Sequence, residues 1–489
     1  MGPMRTLSGL LCSLLLVAGC GKINQLAVTQ PPPVDGPTVR ILLVGDVMTG
    51  RGVAGVMQTD PDGVFAGVRH LLDAADVVGA NLESPLTDEP HTSPNENMLE
   101  ADPATALSLA AAGFDVMALP NNHSTDAGPA GLLDTITAVE AAGMTTIGAG
   151  VTPSEAAAPT IVPTDLSVGF LAFDATGVGT PAGVGPGVAI WDETEAVAAV
   201  RDLRPTVDVV VVSVHGGTEY LPATDPGMAE ISEALHTAGA DVVWGHGAHV
   251  VQPVRLLEPR PMVAATSLGN FLVDQSGRDR TEGAMLEVLV GRDGLIAYRV
   301  GLTDHPDRRV EVAEWLAPER DAVWLHGSWW NLTRTPAVQP LEPVALEDFR
   351  QGDLMAVASG DLTEDGRIEI VASFRRPHQT TPLMELRPDV QWSDASGRSA
   401  HVGVYGPDDL HEVWVAGTVL MPVADLAVCD GAIATVHDQL DDPEVVAGGA
   451  WEWNGFGFDT APDIPGPGTP ACADIDADGL TEPVIINRT

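Results

Sequence analysis

The sequence predicts an α/β sheet protein followed by a β-rich C-terminal module. From Val39 to about Leu302, short β-branched runs alternate with stretches of helical apolar spacing, the pattern of a sheet layered with helices. Polar residues of ligand-binding character gather at the ends of those runs, where α/β sheets collect their ligands. Past Leu302 the helical spacing stops, and acidic turns precede apolar runs instead. At 489 residues the chain is long enough for two or three domains with substantial cores.

Taken in order, residues 1–20 read as an export signal. Arg5 gives a thin positive region, and the apolar run from Leu7 to Ala18 is too short to span a bilayer. Leu16-Val-Ala-Gly-Cys20 resembles a bacterial lipoprotein cleavage and acylation box, which would leave Cys20 as a lipidated first residue; the alternative is a plain signal with an incidental cysteine. Residues 21–37, with Pro31-Pro-Pro33, read as an extended tether between a membrane anchor and the domain. With Cys12 removed and Cys20 acylated, Cys429 and Cys472 remain. In an oxidising compartment a bond between them would constrain the unfolded chain by roughly 4 kcal/mol.

Across 38–305 the sequence predicts strands over 39–44, 76–80, 115–119, 144–147, 168–173, 208–214, 241–244 and 262–266, each rich in Val, Ile or other apolar residues. Helices are expected over 64–75, 103–112, 129–142, 193–203 and 227–238, several of them ending in glycine. The surface charge excludes one class of partner. The chain has 24 basic against 68 acidic residues, a formal charge of −44, and Lys22 is its single lysine. Such a surface repels nucleic acid and anionic lipid at long range. It repels an anionic polymer too, but screening within about 8 Å at physiological salt leaves a local cationic cleft able to hold one.

The strand ends carry the chemistry. In order they read Gly45-Asp46-Val-Met-Thr-Gly-Arg51, Asn81-Leu-Glu83, Asn121-Asn122-His123-Ser-Thr-Asp126, His215-Gly-Gly-Thr-Glu-Tyr220, Gly245-His246-Gly-Ala-His249 and Ser267-Leu-Gly-Asn270. Taken singly, each has an ordinary explanation: Gly-Asp as a turn, Asn-Leu-Glu as a helix start, His215 as a hydrogen-bonded core-edge histidine. Their joint occurrence at successive strand ends points to a metal site instead. A mixed oxygen and imidazole set suits manganese, iron or zinc better than calcium, which prefers oxygen alone.

These six ordered motifs resemble those of the CapA family of poly-γ-glutamate capsule biosynthesis proteins, itself similar to the calcineurin-like metallophosphoesterases. The resemblance implies a four-layer α/β/β/α sandwich. It implies that Glu83 bridges two metals, that Asn122, His215 and His246 complete the second, and that Asp46 and His249 hold the first. It further implies that His123 protonates a leaving group while Asp126 orients it, and that Arg51 receives an anionic substrate group, the alternative for Arg51 being a surface salt bridge. Two departures stand out. Met48 occupies the slot where the superfamily places a histidine, leaving one or two ions as alternatives, and Gly247-Ala248 separates the final histidines.

Residues 306–340, with Trp315, Trp324, Trp329 and Trp330, read as a packed connector, the alternative being an aromatic carbohydrate-binding face. In 341–489, Asp361, Asp365 and Glu369 repeat in spacing as Asp474, Asp478 and Glu482, with Asp476 added in the second copy where the first has Thr363. Both are calcium-type loops rather than EF-hands, because Ala372 and Ile485 hold the twelfth positions. They resemble FG-GAP or VCBS repeats, and two copies imply a truncated, capped β-module that could bind Ca²⁺. Three functions follow: a cell-surface metal-dependent hydrolase or transferase acting on a capsule polymer or its precursor, a non-catalytic polymer-binding protein assembling with capsule-synthesis proteins, or an adhesion scaffold with a vestigial phosphatase-like domain. The His123–Asp126 pair favours the first, since a binder needs no oriented proton donor.

Overall fold

The computed structural model describes residues 37–94, 98–275, 278–325, 328–334, 353–363, 367–378, 391, 393, 395–406, 412–416, 422–438, 445–454, 458–460, 464–465, 468–475 and 480–487. Cys20, the tether up to residue 36, Asp365, Asp476 and Asp478 lie outside the described residues. Among those described, no helix is long and apolar enough to cross a membrane.

Strand Val39–Val47 shows why the sandwich forms. All nine of its residues are buried. Ile41 and Leu43 pack in the core between two sheets, while Leu42, Val44 and Val47 pack against helices Arg51–Thr59, Thr105–Ala112 and Gly128–Ala141. A strand covered on both faces reads as one continuous apolar run. It is flanked by parallel Val77–Leu82 and antiparallel Glu282–Gly291, and the parallel order continues through Val116–Ala118 to Thr145–Ile147. Asn270–Leu272 adds in parallel at its far end.

The second sheet runs Val254–Leu257, Met262–Ala265, Val242–His246, Val209–His215, Ser167–Asp174, Thr160–Pro163, with antiparallel strands at both edges. Helices Glu193–Leu203 and Pro226–Ala238 cover its outer face. The layers are therefore α/β/β/α, as expected. Trp244 fastens the two sheets together: its indole donates to the Val44 carbonyl at 2.8 Å. A Cβ on Gly79 would stand 2.8 Å from that ring, so only glycine fits there.

Three features depart from expectation. Helix Arg51–Thr59 was not expected, and the helix over 64–75 is broken into Pro61–Val64 and Arg69–Leu72. The hairpin Glu282–Gly291 and Gly294–Asp304 extends the first sheet. The connector is itself sheet: Glu311–Trp315 and Ser328–Leu332 pair with Gly294–Asp304, and Ala322–Leu325 pairs with Ser328–Leu332. Trp329 and Trp330 are buried, so they present no open aromatic face. Trp330 and Trp315 cover a buried charge cluster in which Glu287 accepts from Arg40 Nε and from Arg299 Nε. The Arg299 guanidinium lies 3.8 Å over the Trp315 ring and 4.7 Å over Trp330.

The C-terminal module is built of antiparallel sets of strands. Asp353–Gly360, Glu369–Pro377, Arg398–Tyr405 and Glu412–Val415 make the first; Val423–Cys429, Ala432–Asp438, Val445–Trp453 and Phe458–Thr460 make the second, with Ile464–Pro465 also paired to Val445–Trp453. A third set combines Gly468–Ala473 and Glu482–Asn487 with Ala322–Leu325 and Ser328–Leu332, and through them it is continuous with the first sheet. A disulfide joins Cys429 to Cys472, Cα atoms 5.4 Å apart. Each acidic loop lies at a hairpin tip and is closed the same way. Glu369 accepts from the Leu362 and Thr363 amides at 3.1 and 3.2 Å, and Glu482 from the Ile475 amide at 2.8 Å.

Candidate metal centre

The strand registers deliver the site. In the first sheet Asp46 stands opposite both Asn81 and Asn270; in the second, His215 stands opposite His246. The Asp46 amide donates to Gly269 O at 2.9 Å and the Glu83 amide to Val47 O at 3.0 Å, fixing both carboxylates at the strand ends. A Cβ on Gly45 would meet Gly269 O at 2.0 Å, so the close approach of these strands requires glycine there. His249 follows on the loop after His246, with a left-handed backbone at φ 57°.

The side chains converge at ligand-like spacing. One ligand atom each from Asp46, Glu83 and His215 lies within 4.8 Å of the others. His249 Nδ1 is 3.2 Å from Asp46 Oδ2, and His246 Nδ1 is 3.4 Å from Asp46 Oδ1. Glu83 Oε1 is 3.8 Å from His215 Nε2 and 3.9 Å from His249 Nε2. Asp46, Glu83 and His246 are 0 % exposed. Asp46 Oδ2, both Glu83 oxygens, Asn122 Oδ1 and both His246 nitrogens nevertheless make no hydrogen bond of acceptable geometry. Buried polar atoms in such number are almost always satisfied. Carboxylate oxygens and one nitrogen from each imidazole are the donors a divalent cation takes, so the residues fit the metal that the motifs imply.

Two asparagines that the motif reading left without a role hold the ligands in place. Asn81 Nδ2 donates to Asp46 Oδ1 at 2.8 Å and lies 3.2 Å from His215 Nδ1, and Asn270 Oδ1 lies 3.1 Å from His249 Nδ1. This is the usual arrangement behind metal ligands, fixing ring orientation. Both sit at strand ends inside the motifs, which was the available signal.

The electrostatics are those of buried carboxylates and imidazoles crowded together. Burial, then the neighbouring Asp46 charge, pushes the Glu83 carboxyl well above its ordinary range. Burial opposes ionisation of Asp46 as well, but the adjacent His246 and His249 imidazoles outweigh it and lower that group. Burial lowers His215 to about 3. His249 moves the other way: burial would lower it, yet the Glu83 and Asp46 charges carry it up to about 10.

His123 stands beside these ligands. Its Nδ1 is 2.7 Å from Asp126 Oδ2, and its backbone amide donates to Asn121 Oδ1 at 3.0 Å. Arg51 is engaged elsewhere: its Nε and Nη2 both donate to Asp274, whose other contact is the Gly52 amide at 3.0 Å. Met48 packs in a small apolar cluster with Leu99 and Val273.

Comparison with known proteins agrees with this geometry. The family model for "Bacterial capsule synthesis protein PGA_cap" matches residues 40–275, the span that bears every one of these ligands. The chain is 30% identical over 294 residues to the capsule biosynthesis protein CapA of Bacillus anthracis, covering 56% of this chain and 69% of that protein. It is 29% identical over 264 residues to the PGA biosynthesis protein CapA of Bacillus subtilis (strain 168), covering 53% and 69%. A probable polyglutamine synthesis accessory protein of Mycobacterium tuberculosis matches at 27% over 351 residues, covering 60% and 91%. With its strand-end motifs intact and its ligands assembled between two sheets, the chain belongs to the CapA family of bacterial capsule synthesis proteins.

Proposed function

We propose that this protein acts in the synthesis of a poly-γ-glutamate-type surface polymer as a metal-dependent hydrolase or transferase, cleaving or transferring at a phosphorylated carrier or polymer precursor. The observation that carries the reading is the fully buried group of Asp46, Glu83 and His215, with its unsatisfied oxygens, beside an oriented His123–Asp126 pair. Asp46, Glu83, Asn122, His215, His246 and His249 would hold manganese, iron or zinc. Such an ion supplies Lewis acidity and makes water a stronger acid at neutral pH. His123 donates the proton that the leaving oxygen needs, and Asp126, fixed on Nδ1, keeps Nε2 aimed at it. Asn81 and Asn270 hold the ligand rings against rotation.

The disulfide Cys429–Cys472 supports an oxidising, extracytoplasmic location, and the lipoprotein-like box at Cys20 supports a lipid anchor. Mass spectrometry of the mature amino terminus tests the anchor: an acylated Cys20 is expected, and a free terminus at another residue would exclude it. Met48, packed with Leu99 and Val273, favours the second reading, a polymer-binding assembly protein whose catalysis has lapsed. Elemental analysis of purified protein should return stoichiometric manganese, iron or zinc, and His123→Ala should slow phosphodiester turnover by roughly 10²–10⁴-fold with metal content intact. No metal, together with no thermal stabilisation by added metal, rejects the hydrolase; metal with turnover indifferent to His123 leaves the binding protein.

A further inference from the structure

The mouth of the centre carries a cation that neither the motifs nor the ligand set assigns. Tyr220 sits on the loop after His215 in the left-handed region at φ 60°, a conformation that costs a bulky residue roughly 1–3 kcal/mol and persists only where the surroundings impose it. What imposes it is the Tyr220 amide, which donates to Ala248 O at 2.7 Å and ties this loop to the one bearing His246 and His249. The Tyr220 ring consequently lies 5.9 Å from the His249 ring, centroid to centroid, with 38 % of the residue exposed. Arg280 lies over the same ring, the guanidinium carbon 4.5 Å from the ring centroid. Arg280 is anchored through its own carbonyl, which accepts from Asn270 Nδ2 at 2.9 Å; the same Asn270 meets His249 through Oδ1. Two separate chains of contact thus run from His249 to Arg280.

The guanidinium differs from that of Arg51. Arg51 is spent on Asp274, whereas no acid and no hydrogen bond engages the exposed Arg280 guanidinium among the described residues. Stacking on an aromatic face leaves the in-plane N–H donors directed outward, the geometry that receives a carboxylate or phosphoryl oxygen by two parallel bonds. The electrostatic need is plain as well. The charges of Asp46, Glu219 and Asp126 all act on Glu83, so an approaching anion meets a strongly acidic centre.

Resting on the metal-dependent reading above, we propose that Arg280, held on Tyr220 beside His249, is the substrate-binding cation of this centre and docks an oxyanion of the substrate, phosphoryl or γ-glutamyl carboxylate. It selects an anionic substrate despite the strongly acidic surface. Arg280 acts on binding and touches no bond that breaks.

The test uses full-length, manganese-loaded protein and the variants Arg280→Ala, Arg280→Lys and Tyr220→Leu, each checked for unchanged metal content and melting temperature. Inorganic phosphate and a γ-linked glutamate oligomer are titrated calorimetrically, and bis(4-nitrophenyl) phosphate turnover is followed in parallel. Arg280→Ala should weaken one of the two oxyanions by roughly ten- to a hundredfold, with Arg280→Lys recovering part of the loss and Tyr220→Leu losing nearly as much as the alanine variant. Which oxyanion loses affinity identifies the docking group. Where turnover is measurable, KM should rise by the same factor while kcat changes less than about threefold. Equal affinity of wild type and Arg280→Ala for both anions, or no binding of either to wild type, overturns the proposal. Normal oxyanion binding with no turnover in wild type rejects hydrolysis alone and leaves Arg280 in place.

Discussion

Replacing Glu83 by glutamine distinguishes a metal centre from a structural polar cluster, because the two readings predict opposite signs. Asp46 and Glu83 are both 0 % exposed, with ligand oxygens no more than 4.8 Å apart. Two full charges at that distance repel by about 3 kcal/mol at an effective dielectric constant of about 20. Without metal the folded state must bear this repulsion or take up a proton. Because burial and Asp46 raise the Glu83 carboxyl above its unfolded value, stability is greatest below about 4.5 and falls as pH rises through the folded value. At pH 8 in chelator, Glu83→Gln should therefore stabilise the protein by as much as about 3 kcal/mol. With manganese the order should reverse. A ligand at a hundredfold excess over its dissociation constant stabilises the native state by about 2.7 kcal/mol, and the variant forfeits most of that gain. Urea denaturation of both proteins in chelator and in manganese should give curves that cross. A variant less stable than wild type in chelator, or one with the full manganese-dependent gain, refutes the assignment of Glu83 as a ligand.

Three further outcomes follow from the packing. His305 is 3 % exposed with neither ring nitrogen hydrogen-bonded, and burial lowers it from 6.5 to about 4. Its contribution is present above pH 6.5 and lost as pH falls through about 4, roughly 3 kcal/mol in all; His305→Phe should flatten stability over that window, and an unchanged slope rejects the account. Glu287→Gln leaves Arg40 and Arg299 uncompensated under two tryptophans and should cost about 3–5 kcal/mol by chemical denaturation, whereas a loss under about 1 kcal/mol would mean that the cluster is solvated. Reducing Cys429–Cys472, which closes a segment of sequence separation 43, should lower stability by about 4 kcal/mol, read from urea curves with and without reductant.

The candidate site was legible because a charged or imidazole side chain at the end of an apolar run has no packing reason to be there. Asp46, Glu83, His215 and His246 all satisfy that description, and the registers bring them together. Arg51, after a glycine-rich motif, reads equally as a substrate contact or a salt bridge, because the partner that engages it, Asp274, lies 223 positions away and leaves no trace in local sequence. Arg280 is the converse case, an ordinary surface arginine until Asn270 holds its carbonyl and Tyr220, the neighbour of His249, lies under its guanidinium. Helix Arg51–Thr59 escaped notice because Gly52 and Gly55 weaken its helical signal. The hairpin Glu282–Asp304 carries its turn signal in Gly291-Arg-Asp-Gly294, but the charged Glu287 and Arg299 obscure strands that are in fact buried. The connector read as a link because sheet pairing over such separations is invisible locally. Its partner strand, Glu482–Asn487, lies near the far end of the sequence.

That last pairing sets a timetable for the growing chain. Asn487 donates to Asp321 across 166 positions, and Ala322–Leu325 has no neighbour on that side until Glu482–Asn487 has been made. At ribosomal speeds of about 5–20 residues per second, the interval is roughly 10–30 s. Throughout it, Val323, Leu325 and Trp330 border an open strand edge attached to an otherwise complete α/β/β/α sandwich, the kind of edge on which chains aggregate. A chain released early would carry every metal ligand and still expose that edge. Completion of that sheet thus waits on Glu482–Asn487, which covers the edge of Ala322–Leu325.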